Sequence, residues 1–236
     1  MEELGRTPGR HTLAEVAAAS GLNRATARRV LTTLVALNYC ESEGRYFRLR
    51  PRALGLGLSY LTALPFWGPA HQVLEQLRNQ TGESCALAVL DGSEIVYVLR
   101  LPARRILAAN LGIGSRLPAH LVSLGRVLLS ELPQEERDRQ IESIRFKKVT
   151  PRTIADSNSL QRELGRVAEQ GYAWVDAELD PSICGISVPV RDQSRSVVAA
   201  ISINMISGTI EEAEAKVKYL LPLKRAAEDI RIQTIA

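Results

Sequence analysis

Two short helices joined by a tight turn are predicted between Thr12 and Leu37, and this pattern restricts the fold more than any other part of the chain. Thr12 and Glu15 have the spacing of a capping box, and Gly21 suits the left-handed residue that ends a helix. Asn23 is a favourable cap for the second helix. The apolar stripe expected on that helix is Ala27, Val30, Leu31, Leu34 and Leu37. A helix-turn-helix of this kind places its second helix in the major groove of DNA.

A basic β-hairpin is predicted directly after the two helices. Residues 39–50 alternate about Glu43 and Gly44, which is typical of two strands joined by a tight turn. Arginines on an exposed helix are by themselves equally consistent with a solvated face. A basic hairpin beside the helices favours DNA, because such a wing contacts phosphates. We therefore expect a double-stranded DNA operator as partner. The residues expected at the DNA are Asn23, Arg24, Thr26, Arg28, Arg29, Arg45, Tyr46 and Arg48.

The net charge of the chain is confined to its N-terminal part. Residues 1–64 contain nine arginines and five glutamates, which gives +4, and the whole chain is also +4 with 30 basic and 26 acidic residues. Residues 65–236 are therefore neutral. A basic small domain on a neutral larger one is typical of a phosphate-binding domain attached to a domain with another task.

A linker helix is predicted over residues 51–68, after a DNA-binding domain at residues 1–50. Its sequence is apolar nearly all round, which favours burial against a second copy of the chain and hence a homodimer. Burial within its own chain is the alternative. Glycines and prolines interrupt this run, so no membrane span is expected. Three widely separated cysteines suit the cytoplasm, and neither the cysteines nor the histidines have the spacing of a metal site, so no metal or cofactor is expected.

An α+β domain with an antiparallel sheet is predicted over residues 69–236. Helices are expected up to Gly82, from about Ala119 to Glu131, after Pro133, at 157–170 and from Thr209 to Arg231. Strands are expected at Ser84–Leu90, Glu94–Leu101, Arg105–Leu111, Tyr172–Asp176, Cys184–Val190 and Ser196–Ile206.

A ligand cavity is one explanation for polar residues within the last of these strands. Ser202 and Asn204 share one face, where a ligand, water, a neighbouring side chain or bulk solvent would bind them. His120 and Ser123 stand at a helix N-terminus, which favours an anionic group. A lone histidine is more often a structural residue that forms a hydrogen bond. For His120 we keep both interpretations, a structural role and a role in ligand binding.

Two other classes of function compete with a ligand-controlled DNA-binding regulator. An enzyme with a fused DNA-binding domain would use Cys184 or Ser123 as nucleophile, but no recognisable motif places a base beside either, so we expect no enzyme activity. A DNA-binding oligomer that needs no ligand would have a dry, apolar interior at Ser202 and Asn204.

The chain resembles the IclR family of bacterial transcriptional regulators over nearly its whole length. The resemblance is carried by LAEVAAASGLNRATARRVLTTL, TGESCALAVLDGSEIVYVLR, GSRLPAH with LGRVLLS, VTPRTIAD and GYAWVDAELDP. Three further segments resemble the regulators of the β-ketoadipate pathway. These regulators govern breakdown of protocatechuate and 4-hydroxybenzoate. The segments are LGLGLSYLTALPFW, LPARRILAANLGIGSRLPA and SINMISGT. The resemblance implies a winged helix-turn-helix, a GAF-like effector domain, dimers or dimers of dimers, and a small organic acid as effector, either an aromatic acid or one like β-ketoadipate. It implies as effector-binding residues Leu117, His120, Ser123, Leu124, Asp176, Cys184, Ser202 and Asn204.

Two features depart from the family pattern. The residues before Thr12 are too few for the family's first helix and its loop, so we expect either an incomplete N-terminus or a DNA-binding domain without that support. The family's arginine before the Cys184 position is absent, since this chain has Pro181-Ser182-Ile183 there. If that arginine holds the effector, the identity of the effector does not transfer.

Overall fold

The computed structural model describes residues 1–6, 9–103 and 111–234. It divides into two units, Met1–Ala63 and Leu64–Ala236, each with its own hydrophobic core. The boundary assigns the linker helix to the first unit. No helix among the described residues is long and apolar enough to cross a membrane.

The first unit is a helix-turn-helix with a three-stranded antiparallel sheet. Its elements are α1 (Glu2–Arg6), β1 (His11–Thr12), α2 (Leu13–Ala19), α3 (Arg24–Ala36), β2 (Cys40–Glu43), β3 (Tyr46–Leu49), a 3-10 turn (Pro51–Ala53) and α4 (Leu54–Thr62). The sheet order is β1-β3-β2. The predicted capping box of Thr12 and Glu15 is present, and Asn23 caps α3. Gly44 has a φ of +60° in the hairpin turn, a conformation that glycine adopts without strain.

The apolar stripe predicted on α3 is only partly correct. Ala27 and Leu31 are buried in the core of the first unit. Val30 is 45% exposed and Leu37 is 51% exposed, so the prediction was wrong for these two residues. The face that packs inward is narrower than expected, because it follows the i, i+4, i+7 positions of Ala27, Leu31 and Leu34.

A short helix precedes the capping box, which corrects the expectation that the residues before Thr12 are too few to support the DNA-binding domain with a helix. α1 has five residues and places Leu4 against Leu31 and Cys40, where Leu4 is only 4% exposed. One helical turn is enough to bring this leucine beneath α3. The core of the DNA-binding unit therefore receives support from the N-terminal side.

The second unit is a six-stranded antiparallel sheet between helices, which confirms the predicted α+β fold. Its elements are α5 (Trp67–Thr81), β4 (Ser84–Asp91), β5 (Glu94–Leu101), β6 (Arg116–Pro118), a 3-10 turn (Ala119–Leu121), α6 (Ser123–Ser130), α7 (Gln134–Ser143), α8 (Ser157–Gln170), β7 (Ala173–Asp176), β8 (Ile183–Arg191), β9 (Val197–Ile206), α9 (Glu212–Ala215), a π-helical turn (Lys216–Leu220) and α10 (Leu221–Gln233). The sheet order is β6-β5-β4-β9-β8-β7. The strand expected at Arg105–Leu111 lies almost wholly at residues 104–110, outside the described residues.

The two faces of the sheet carry side chains of different size and pack against different helices. Ala86 lies opposite Ser202, which lies opposite Ser187, so small side chains cross the middle of one face. α6 packs on this face, and Ser187 Oγ donates to Ser123 Oγ of α6 at 2.7 Å. The other face carries larger apolar residues such as Ile203 and packs against α5 and α10. Small residues under α6 leave room for a cavity.

Candidate nucleic-acid interface and ligand cavity

A groove runs between α3 and the hairpin wing of the first unit. Arg24, Arg28 and Thr32 recur every four residues along the exposed side of α3 and line this groove with Arg45 of the wing. Arg29 does not line it. The structure therefore brings together three of the arginines that the sequence places at DNA, and their positions suit base edges from α3 and phosphates from the wing.

The other predicted DNA residues mainly position or neutralise neighbouring groups. Asn23 Oδ1 accepts the Thr26 backbone N–H at 2.8 Å, so this side chain caps α3. Tyr46 accepts a hydrogen bond from Arg45 Nη2 at 2.9 Å, and the Arg45 guanidinium lies 5.1 Å from the Tyr46 ring centre. The hydrogen bond to Tyr46 raises the pKa of Arg45. Arg48 forms an ion pair with Glu41, which offsets its charge.

A cavity of about 450 Å³ lies on the small-residue face of the second unit. This volume is within the range of sites for small ligands. Its lining is mostly apolar with a few polar groups. The lining residues are Tyr97, Arg100, Leu111, Leu117, Leu121, Val122, Ser123, Leu124, Val175, Glu178, Leu179, Asp180, Ile183, Cys184, Gly185 and Asn204.

The polar floor of the cavity depends on a glycine. A Cβ at Gly185 would lie 2.7 Å from Asn204 Oδ1 and 3.1 Å from Ser123 Oγ, closer than side chains tolerate. Asn204 Nδ2 donates to Ser202 Oγ at 2.8 Å, and Ser187 Oγ donates a hydrogen bond to Ser123 Oγ. The absence of a side chain at Gly185 therefore leaves space for the side chains of Asn204 and Ser123 at the floor of the cavity.

Five of the eight predicted effector residues line the cavity, and three do not. Leu117, Ser123, Leu124, Cys184 and Asn204 are among the lining residues. Ser202 is fully buried beneath Asn204 and supports it. Asp176 binds Ser207 and forms an ion pair with Arg152 instead. Its neighbour Val175, which lies opposite Gly185, lines the cavity instead. Ser202, Asp176 and His120 are therefore not among the residues that line the cavity in this structure.

His120 is buried in the second unit. Its ring packs edge-on against Phe146 with centroids 5.5 Å apart, and its backbone oxygen accepts a hydrogen bond from Arg126 Nε at 3.0 Å. Nδ1 has no hydrogen-bond partner among the described residues. Burial, assisted by the Arg126 charge, lowers the pKa of His120 to about 4. The imidazole is therefore neutral at physiological pH.

Three lining residues that the sequence did not single out are Tyr97, Arg100 and Glu178. Arg100 is half-buried within a strand of apolar residues, and its Nη1 donates to Leu111 O at 2.6 Å. Burial raises the pKa of Tyr97, which keeps its hydroxyl protonated. The available signal was the arginine inside the apolar run VYVLRL, because a charge in a buried strand requires a partner or a ligand.

Glu178 forms a buried ion pair behind the cavity. Arg126 Nη2 donates to Glu178 Oε2 at 2.6 Å, and the Ile154 backbone N–H donates to the same oxygen at 2.9 Å. The Arg126 side chain is 2% exposed and the Glu178 side chain 9%. Glu163 lies 3.8 Å from Arg126 Nη1. This network fixes the β7–β8 corner, which forms one wall of the cavity, against α6.

The chemistry of Cys184 does not suit a nucleophile. Burial, followed by the negative charge of Glu83, raises the pKa of its thiol to about 11, so the thiolate is scarce at neutral pH. Ser123 is hydrogen-bonded to another hydroxyl, that of Ser187. Among the residues described, no group of histidine, cysteine and carboxylate side chains has the arrangement of a metal site.

A basic winged helix-turn-helix and a domain with a ligand-sized cavity define a DNA-binding transcriptional regulator controlled by a small molecule. Residues 1–44 match the IclR helix-turn-helix domain, and residues 58–232 match the bacterial transcriptional regulator IclR C-terminal domain. The chain therefore belongs to the IclR family, as its motifs predicted.

Relatives and solved structures place the chain near regulators of aromatic catabolism. The Pca regulon regulatory protein of Pseudomonas putida is 33% identical over 220 residues, covering 93% of this chain and 76% of that protein. The p-hydroxybenzoate hydroxylase transcriptional activator of Acinetobacter baylyi is 33% identical over 238 residues, covering 98% and 87%. An IclR homolog from Microbacterium hydrocarbonoxydans complexed with 4-hydroxybenzoate superposes with a TM-score of 0.83 at 25% identity, covering 99% of this chain and 95% of that one.

Proposed function

We propose that this regulator binds an aromatic carboxylic acid in the cavity of its second unit and that the acid changes its affinity for operator DNA. The observation that carries the proposal is the cavity itself, which combines apolar walls, a polar floor at Ser123 and Asn204, and the cation Arg100. Apolar walls suit an aromatic ring, whereas a carboxylate requires a cation or several N–H donors when water is excluded.

The relatives support the same class of ligand. One is named for p-hydroxybenzoate hydroxylase, and the structure that superposes with a TM-score of 0.83 holds 4-hydroxybenzoate. In this chain the family arginine before Cys184 is absent, and Arg100 offers a positive charge on the cavity wall. We therefore expect the site to accept an aromatic acid without that arginine.

DNA recognition is assigned to the groove of the first unit. Arg24 and Arg28 of α3 would contact base edges, and Arg45 of the wing would contact phosphates. Arg48 contributes less in this assignment, because Glu41 offsets its charge.

A homodimer in the cytoplasm is the proposed working form. Leu54, Leu56, Leu58 and Tyr60 of α4 are each at least 50% exposed, which is unfavourable for apolar residues in water. Pairing α4 with the α4 of a second copy would cover them and join two DNA-reading surfaces, as paired half-sites require. A dimer of dimers would use the same contact.

The test is a thermal-shift titration of the full chain with 4-hydroxybenzoate, followed by DNA binding with and without the acid. A ligand at 100 times its Kd stabilises the native state by about 2.7 kcal/mol, which is an easily measured rise in Tm. The proposal predicts saturable binding and a change in DNA affinity. Lack of any shift with 4-hydroxybenzoate, benzoate or protocatechuate would contradict it. Conversion of the acid during the titration would favour an enzyme.

A further inference from the structure

The charged residues of the cavity wall are distributed unevenly along the sheet. Arg100 lies on β5, next to the edge strand β6, whereas Glu178 and Asp180 follow β7 at the opposite edge. β5 and β7 are four strands apart in the sheet order, and residues from both ends line the same cavity. One end of the cavity therefore carries positive charge, and the other end carries carboxylates.

The positive end suits a single carboxylate. Arg100 is the one cation among the described residues that line the cavity. A guanidinium has five N–H donors in a planar fork, which matches the two oxygens of a carboxylate. Arg100 Nη1 donates to Leu111 O, and both residues line the cavity.

Among the described lining residues, the opposite end has no positive charge to pair with a second carboxylate. Arg126 already neutralises Glu178 through the buried ion pair. Asp180 accepts hydrogen bonds from the Ser182 backbone N–H at 2.8 Å and from Ser182 Oγ at 2.6 Å, and these bonds lower its pKa. Asp180 thus stays ionised at the cavity mouth.

The N-terminus of α6 does not reverse this balance. It contributes only about half a unit of positive charge, which is less than the full negative charge of Asp180. Ser123 and Asn204 at the floor suit a neutral hydroxyl or amide, because each side chain already has a neutral hydrogen-bond partner.

Resting on the proposed function, we propose that the cavity selects monocarboxylic aromatic acids over dicarboxylic acids of the same shape, with Arg100 binding the carboxylate and the Asp180 end excluding a second one. Arg100 and Asp180 are then the residues that determine specificity. A ring-cleavage diacid would be a poor effector, whereas a hydroxylated benzoate would be a good one.

The test uses three ligands of one ring and measures their affinities for the full chain by calorimetry. They are 4-hydroxybenzoate, terephthalamate, which carries one carboxylate and one amide in para positions, and terephthalate, which carries two carboxylates. Terephthalamate and terephthalate have nearly the same shape and differ by one charge. We expect terephthalate to bind at least about tenfold more weakly than terephthalamate, since the second charge must be desolvated without a partner.

Variants assign the effect to residues. Arg100→Gln should weaken the binding of both monocarboxylates at least about tenfold. Arg162→Gln, on the exposed side of α8, should leave their affinities unchanged. Arg100→Lys should recover part of the loss, which separates lost charge from lost folding. Asp180→Arg should reduce the difference between the affinities for terephthalamate and terephthalate.

Equal affinities of the wild-type chain for terephthalate and terephthalamate would overturn the selectivity while leaving the acid site intact. Absence of binding by every acid would instead contradict the proposed function. Unchanged binding of 4-hydroxybenzoate by a folded Arg100→Gln variant would remove Arg100 from the site.

Discussion

Replacement of Glu178 by glutamine should destabilise the second unit, although the two side chains have nearly the same shape. The substitution removes the negative charge that faces Arg126 at 2.6 Å and leaves a guanidinium that is 2% exposed. The amide oxygen can still accept the Ile154 N–H, so the packing of the β7–β8 corner changes little. The main loss is therefore electrostatic.

The magnitude follows from the burial of the pair. Breaking a buried ion pair by removing one partner costs about 3–5 kcal/mol, because the remaining charge is uncompensated. Glu163, at 3.8 Å from Arg126, offsets part of this cost, so we expect about 3 kcal/mol. For a domain of this size each kcal/mol lowers Tm by about 2–4 °C, which gives a decrease of roughly 6–12 °C.

The assay is a double-mutant cycle with Arg126→Met, Glu178→Gln and the double variant, measured by urea unfolding at pH 7. We expect the double variant to be more stable than the sum of the single losses predicts, since it leaves neither charge alone. A Glu178→Gln variant within about 0.5 kcal/mol of the wild type would refute the reasoning, because a surface substitution has an effect of that size.

Three further predictions concern the histidine, the cavity floor and the wing. Burial lowers the pKa of His120 to about 4, below that of the unfolded chain, so the unfolded state binds the proton first as pH falls. Stability should decrease by about 2 kcal/mol between pH 7 and pH 5 through this residue, and His120→Leu should reduce that decrease in unfolding experiments at both pH values. Gly185→Ala should weaken binding of 4-hydroxybenzoate by about 1–2 kcal/mol in calorimetry, because the new methyl group displaces Asn204. Arg45→Gln should reduce the slope of log affinity for DNA against log salt by about 0.9, measured by anisotropy, and Arg48→Gln, already paired with Glu41, by less. Equal slopes for the two variants would contradict this difference.

Local sequence signals predicted the DNA-binding unit well. The capping box at Thr12, the Asn23 cap and the turn at Gly44 each depend on neighbours within a few residues, and all three occur in the structure. The exposure of Val30 was not predictable in the same way, since it depends on the width of the face that α2 and the sheet cover. Helix periodicity gives the direction of a face but not its width.

The cavity was predictable only in part, because its lining depends on strand register and on distant partners. Asn204 was identified by its polar position in an apolar strand. Asp176 and Val175 are neighbours in the chain, and only Val175 lines the cavity, whereas Asp176 interacts with Ser207 and Arg152, which are distant in the sequence. The role of Glu178 depends on Arg126, which is 52 residues away in the chain, so no local pattern reveals the pair.

The most direct test of the account is the DNA affinity of the full chain with and without saturating 4-hydroxybenzoate, measured on a duplex selected from random sequence by binding to this protein. Coupling between the two sites predicts a change of about 5–150-fold in Kd for the wild type. It also predicts that Arg100→Gln, which still binds DNA, loses this response at the same acid concentration. An unchanged DNA affinity with the wild-type site saturated would contradict the claim that the cavity controls DNA binding.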